Sequence, residues 1–173
     1  DAIAKAMSFL GHPDRNIRFA ARTVLEHQPV VKWQDQALKI NTNSDAKITA
    51  LLGLARCGSR ELQMPLLQSL AELNSDSMSE SQMLDALRVL GLCFIRMGEP
   101  EPQTARDVAA VLNQSYPSKS PRLNRELCRL LVYLNDSEVA AKTLDLLAMA
   151  PSQEEQIHYV YCLRALNDQW TMD

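Results

Sequence analysis

Apolar residues recur along most of the chain at the spacing of an α-helix. Ile17, Ala20, Ala21, Val24 and Leu25 stand at i, i+3, i+4, i+7 and i+8. Leu123, Leu127, Leu130, Leu131 and Leu134 stand at i, i+4, i+7, i+8 and i+11, and Ala105, Val108, Ala109 and Leu112 repeat the theme. Each set draws one stripe down a helix. No stretch alternates with period two cleanly enough to predict a strand. Between the stripes lie short polar breaks at Gly11 to Pro13, Gln28-Pro29, Asn41 to Asp45, Gly58, Asn74 to Ser77, Gly98 to Pro102, Tyr116 to Ser120, Asn135-Asp136 and Ala150-Pro151. Asp14, Ser79 with Gln82, Ser120 with Pro121, and Ser152 with Glu155 have the spacing of helix starts. The pattern predicts helices at roughly 2–10, 15–27, 32–41, 46–57, 60–73, 80–97, 103–115, 121–134, 138–149 and 152–166. Pro65 either kinks the fifth of these or marks its true start after a turn at Arg60 to Gln63.

Paired in order, the helices give hairpins that repeat. Leu134-Asn135-Asp136 returns as Leu166-Asn167-Asp168 after 32 residues, and the helix ends at Cys57-Gly58 and Met97-Gly98 are 40 apart. Units of this length are two-helix repeats, and a lone hairpin cannot bury its own stripe, so neighbours must stack. The expectation is an all-α solenoid of about five stacked hairpins, one domain over 1–173. A compact helical bundle is the alternative, favoured by the irregular unit length.

Composition agrees with helices. Ala and Leu dominate, aromatics make up 5% and there are five glycines. The net charge of −3 argues against a protein that lives mainly on nucleic acid. No apolar run approaches the ~20 residues needed to cross a bilayer. The start, Asp1-Ala2-Ile3-Ala4-Lys5, has neither an initiator Met nor a basic leader, and reads as a piece of a longer polypeptide.

Several segments carry a family resemblance. They are His12-Pro13-Asp14-Arg15 through Ala20-Ala21-Arg22 and Glu26-His27-Gln28-Pro29, then Tyr116-Pro117-Ser118-Lys119-Ser120-Pro121 with Leu123-Asn124-Arg125-Glu126-Leu127 and Leu131-Val132-Tyr133-Leu134, then Pro151-Ser152-Gln153-Glu154-Glu155-Gln156-Ile157-His158-Tyr159, and Trp170-Thr171. Together the chain resembles the HEAT-repeat region of planctomycete-type multidomain membrane-bound dehydrogenase and c-type cytochrome (haem-binding) proteins. That resemblance implies a HEAT-like fold, an α-α superhelix. It also implies a non-catalytic middle piece of an exported redox-type protein, placed in the periplasm or cell envelope. Members join a propeller-like dehydrogenase domain before this region to a cytochrome domain after it. The chain holds no Cys-x-x-Cys-His haem motif, and Gln169 stands before Trp170 where the family has Gly. No dehydrogenase or haem site therefore carries over, and no cofactor is expected.

The remaining chemistry is sparse. Cys57, Cys93, Cys128 and Cys162 lie 36, 35 and 34 apart, about one in each first helix of successive hairpins. No pair has the close spacing of a zinc site. Helices pack 8–10 Å apart while a disulfide needs Cα atoms within about 7 Å, so small, buried, free thiols are expected, with a disulfide or metal site as the alternative. His12 and His27 suit capping or surface roles. Arg15, Arg18 and Arg22 share one face, as do Arg122, Arg125 and Arg129. Each row should face solvent, with local pairs Arg22–Glu26 and Arg122–Glu126, or form a basic strip for an acidic partner or phosphates. Neither a Gly-x-Ser-x-Gly elbow nor a Gly-rich phosphate loop supports an enzyme.

The function expected is a non-catalytic module for protein–protein interaction or interdomain scaffolding, its partner another protein or a neighbouring domain of the same polypeptide, without nucleic acid or direct membrane insertion. The alternative is a nucleic-acid-binding helical solenoid; an enzyme with an unrecognised site is a third class. Shifting the chain by 32 residues maps Asn124, Glu126 and Leu127 onto Gln156, His158 and Tyr159. Stacked helices then set Glu126 beside His158 and raise its pKa. The candidate binding residues are Asn124, Arg125, Glu126, Gln156, His158 and Tyr159, with the Tyr116 to Ser120 loop at their edge. They form either a docking patch or a polar clamp fixing the register of two hairpins.

Overall fold

The computed structural model describes residues 1–41 and 43–166. The second copy of the Leu-Asn-Asp motif, at Asn167 and Asp168, and the Gln169 to Thr171 stretch fall outside the described residues. Among those described there are ten α-helices and no strand: α1 (Ala2–Met7), α2 (Arg15–Glu26), α3 (Gln34–Leu38), α4 (Ser44–Cys57), α5 (Gln63–Ala71), α6 (Glu80–Met97), α7 (Pro102–Asn113), α8 (Pro121–Tyr133), α9 (Val139–Met149) and α10 (Gln153–Leu163).

Their ends follow the sequence signals. Asp14 accepts from Asn16 N at 2.7 Å and starts α2. Ser79 and Gln82 complete a reciprocal capping box at α6. Ser120 accepts from Leu123 N ahead of Pro121, and Ser152 accepts from Glu155 N. The third and fifth helices are shorter than the periodicity predicts. Each opens with a 3₁₀ turn, Val30–Lys32 and Arg60–Leu62. Pro65 then sits in the first turn of α5, where its missing N–H needs no intrahelical partner.

The chain divides into two compact units, one spanning Asp1–Glu99 and one beginning at Pro100. In the first, α1–α2, α3–α4 and α5–α6 are hairpins laid in sequence order. The even helices run parallel, as their cross-contacts show. Gly53 meets Arg22, and the Glu26 carboxylate lies 2.8 Å from Arg56, both linking α2 to α4. Gln82 Nε2 donates to Asp45 near the starts of α6 and α4, and Arg96 donates to the Arg56 carbonyl near their ends. The odd helices also touch, through Ser69 of α5 and the Leu38 carbonyl of α3 at 2.8 Å. Residues 30 to 40 positions apart thus occupy equivalent places in neighbouring hairpins, as a two-helix repeat demands. Trp33, Leu25, Leu51, Leu54, Leu66 and Val89 are sealed in this core. Gly53 lets the Trp33 ring approach α4, since a Cβ there would meet the ring and Arg22 at 3.3 Å.

In the second unit α7–α8 and α9–α10 are the hairpins, and α8 packs directly on α10. Leu127, Cys128, Leu131, Val139 and Leu163 fill its interior.

Two expectations are corrected here. The α2 stripe is not buried as a whole: Ala21 and Leu25 point inward, while Ile17, Ala20 and Val24 reach solvent. The helix is rotated towards its arginine row. Arg18 donates to the carbonyls of His12 and Pro13, and the half-buried Arg22 lies 2.9 Å from Glu26. That row was expected in solvent; Arg15 is exposed, whereas Arg18 and Arg22 are half-buried along their stems, and Arg22 makes the expected pair with Glu26. Cys57 is the second correction. It is exposed in the last turn of α4, with its Sγ 3.8 Å from the Glu26 carbonyl, whereas Cys93, Cys128 and Cys162 are buried.

Candidate functional site

α8 and α10 bring the predicted binding residues into one region but turn them to different ends. Asn124 faces inward and is buried. Its side chain accepts from Ser118 N at 2.6 Å and donates to the Ser118 carbonyl at 2.9 Å, closing the loop that precedes α8. Tyr159 is buried, with the His158 ring set edge-on to it at 5.7 Å. Arg125 and Glu126 are half-buried and Gln156 is exposed. Arg125 reaches Glu154 at 3.5 Å, and Glu126 pairs with Arg129, one turn along the same helix, where the sequence suggested Arg122.

His158 does come to α8, one residue off the predicted register. Its Nε2 lies 3.2 Å from the Arg125 carbonyl and 3.5 Å from Cys162 Sγ. A carbonyl can only accept, so Nε2 carries the proton. The pKa of His158 is lowered, opposite to the expectation. Burial between the helices is the largest cause, the Arg125 carbonyl opposes it, the Arg125 charge lowers it further, Glu126 raises it and Arg129 lowers it. Glu126 therefore acts on the imidazole through its charge, as the 32-residue shift anticipated, but burial outweighs it.

Beneath this contact lies a polar cluster that the sequence reading missed. Tyr116 and Thr143, both buried, share a hydrogen bond of 2.7 Å, and Cys128 Sγ lies 3.7 Å from the Thr143 hydroxyl. Cys162, on the neighbouring α10, is buried as well. The 34-residue spacing of these two cysteines was the available signal.

A second missed feature is the outer side of α10. Ile157, Val160 and Tyr161 are 60%, 55% and 61% exposed, while Tyr159, Cys162 and Leu163 of the same helix are buried. From Ile157 onward the helix carries apolar residues almost all round, and one side has no cover from the described residues. Arg164 stacks over Tyr161 at 4.1 Å. In the first unit, Ile17 and Val24 share an exposed side of α2, and Phe19 is exposed on the opposite side.

Other candidate chemistry is accounted for locally. His12 Nδ1 accepts from Asp14 N, and His27 Nδ1 donates to the Thr23 carbonyl at the end of α2. A polar cleft of about 240 Å³ lies by the start of α4, lined by Asn41, Asn43, Lys47, Glu72 and Asn74. The buried Lys47 ammonium in it is 2.6 Å from the Glu72 carboxylate, so its charge is already neutralised. Among the described residues no group of three His, Cys, Asp or Glu side chains is placed to hold a metal ion, and no helix is long and apolar enough to cross a membrane. Comparison with family models, with curated proteins and with solved structures finds no match.

Proposed function

We propose that this chain is a non-catalytic helical-repeat module that docks another protein or a neighbouring domain of a longer polypeptide. The observation that carries this reading is the uncovered apolar side of α10, built by Ile157, Val160 and Tyr161. Contiguous apolar surface on a helix is where a partner gains most from excluding water. An exposed Tyr braced by an Arg is the kind of anchor such interfaces use. Hairpins stacked at 30 to 40 residues per repeat support a HEAT-like solenoid as the scaffold. The resemblance to the middle region of exported dehydrogenase and cytochrome proteins supports a redox-type parent and an extracytoplasmic place.

Nucleic acid is the weaker reading. Arg22, Arg125 and Arg129 each meet a carboxylate of the chain, and Arg18 is tied to two backbone carbonyls, so part of each arginine row is already engaged. Photo-crosslinking tests the proposal. A benzophenone side chain replaces Ile157 in the polypeptide with its native flanking sequence, and another replaces exposed Arg88 as control. Docking predicts a single reproducible crosslinked segment from position 157 and not from 88. Equal, scattered labelling from both positions would contradict it.

A further inference from the structure

The stacked hairpins of both units share one register, which shows when each second helix is counted from its N-cap: Asp14 for α2, Asn43 for α4, Ser79 for α6, Ser120 for α8 and Ser152 for α10. Three contacts mark the side that meets the preceding hairpin. They are the third position of α6, where Gln82 donates to Asp45, the tenth of α4, where Gly53 meets Arg22, and the sixth of α10, where His158 lies 3.2 Å from the Arg125 carbonyl. The side that meets the following hairpin is marked by the fifth position, Arg125 of α8, and by the eighth and twelfth, Arg22 and Glu26 of α2. On α2 the third, sixth and tenth positions are Ile17, Ala20 and Val24, all apolar and all exposed. On α10 the fifth and eighth are Ile157 and Val160, exposed as well, although Cys128, the eighth of α8, is fully buried. Thus α2 leaves its preceding side uncovered and α10 its following side.

We infer that this chain associates with a second copy of itself front to back, the uncovered side of α10 in one copy seated on the uncovered side of α2 in the next. The inference rests on the reading of α10 as a docking surface and names its occupant. A second copy is favoured because one chain carries both halves of the contact in matching register. Within the chain the fifth position meets the sixth, as Arg125 meets His158, and the eighth meets the tenth, as Arg22 meets Gly53. Between copies the same register sets Ile157 on Ala20 and Val160 on Val24, with Tyr161 and its stacked Arg164 at the rim. Apolar side chains that now face water then cover one another. The two surfaces differ, so the contact is heterologous: a pair of copies still presents one free α2 and one free α10, and growth is open-ended. One hairpin against one hairpin lies at the small end of protein interfaces, so association is weak and depends on concentration.

Sedimentation equilibrium of the native chain tests it, with dithiothreitol present so that the exposed Cys57 cannot link copies. The mean mass is expected to climb above 19.4 kDa as concentration rises. Val24→Glu and Val160→Glu each put a carboxylate into one half of the contact, and each variant alone is expected to stay at 19.4 kDa. Mixed, the two are expected to associate again as a one-to-one pair, because the first keeps an intact α10 and the second an intact α2. Circular dichroism checks that both are folded; if either loses helix, Ala20→Glu and Ile157→Glu take their places. A native chain that stays monomeric throughout, association that survives the α2 substitution, or a mixture that stays monomeric would each overturn the inference. A monomeric native chain together with a single crosslinked segment from position 157 removes the second copy and leaves the docking reading standing. A monomer with scattered crosslinks removes both.

Discussion

Gly98 ends α6 with φ 93 and ψ 179, a conformation that L side chains rarely adopt. A Cβ there would also stand 2.7 Å from the Arg60 guanidinium, while Gln63 Nε2 donates to the Gly98 carbonyl at the same distance. Gly98→Ala is expected to cost about 1–3 kcal/mol, read as a lower urea midpoint at unchanged slope. His158 makes a prediction in pH. Burial holds its folded-state pKa below 6.5, so the unfolded chain takes up the proton first as pH falls. Its contribution to stability is complete above about pH 6.5 and is lost as pH falls through the depressed folded value. An NMR titration should place the His158 midpoint below 6.5, and His158→Gln should flatten that part of the stability profile. A midpoint above 6.5 would mean that Glu126 outweighs burial. Residue scale is also where sequence reasoning fell shortest. Spacing put Glu126, His158, Cys128 and Cys162 on adjoining helices, but it could not weigh desolvation against one charge. Nor could it tell that Asn124 would turn inward to hold Ser118.

Among the elements, α8 shows how one local motif fixes the next helix. Asn135 lies at φ 53; its N–H reaches the Val132 carbonyl at 3.1 Å, and Asp136 N reaches the Leu131 carbonyl at 3.0 Å. These two bonds are the Schellman closure of a helix end. Asp136 then accepts from Glu138 N ahead of α9. A β-branched residue tolerates that backbone poorly, so Asn135→Val is expected to destabilise by about 1–2 kcal/mol, whereas Asn135→Gly should not destabilise comparably. Thermal melts of the two variants compare them directly. Such end signals made the helices legible: Ser79 with Gln82 set the start of α6, and Ser120 with Pro121 set that of α8. Where no side chain marked a start, the reading ran long, as at α3 and α5, whose 3₁₀ turns share the apolar periodicity of the helix behind them. Helix rotation was less legible than helix position. On α2, a row of arginines with long alkyl stems competes with Ile17, Ala20 and Val24 for the inner face, and the periodicity alone does not choose between them.

At the scale of the molecule, repetition organises each unit. Equivalent residues of successive hairpins meet across parallel helices: Glu26 with Arg56 in the first unit, Arg125 with His158 in the second. The 40-residue echo in the sequence matches such a contact, since Arg96 donates to the Arg56 carbonyl across α6 and α4. What the echoes could not reveal is which faces remain uncovered. α10 has apolar residues on every side, and only packing decides that Tyr159 and Leu163 turn inward while Ile157 and Tyr161 turn out. Those outward side chains carry the proposal of a docking module. Carbene footprinting tests it most directly, with the isolated chain compared with the same residues inside the polypeptide that bears its native flanking sequence, together with its partners. Docking predicts heavy labelling of Ile157, Val160 and Tyr161 in the isolated chain and a several-fold loss of it in the larger assembly, with exposed Ile95 as a reference. Equal labelling of α10 in both samples would contradict it.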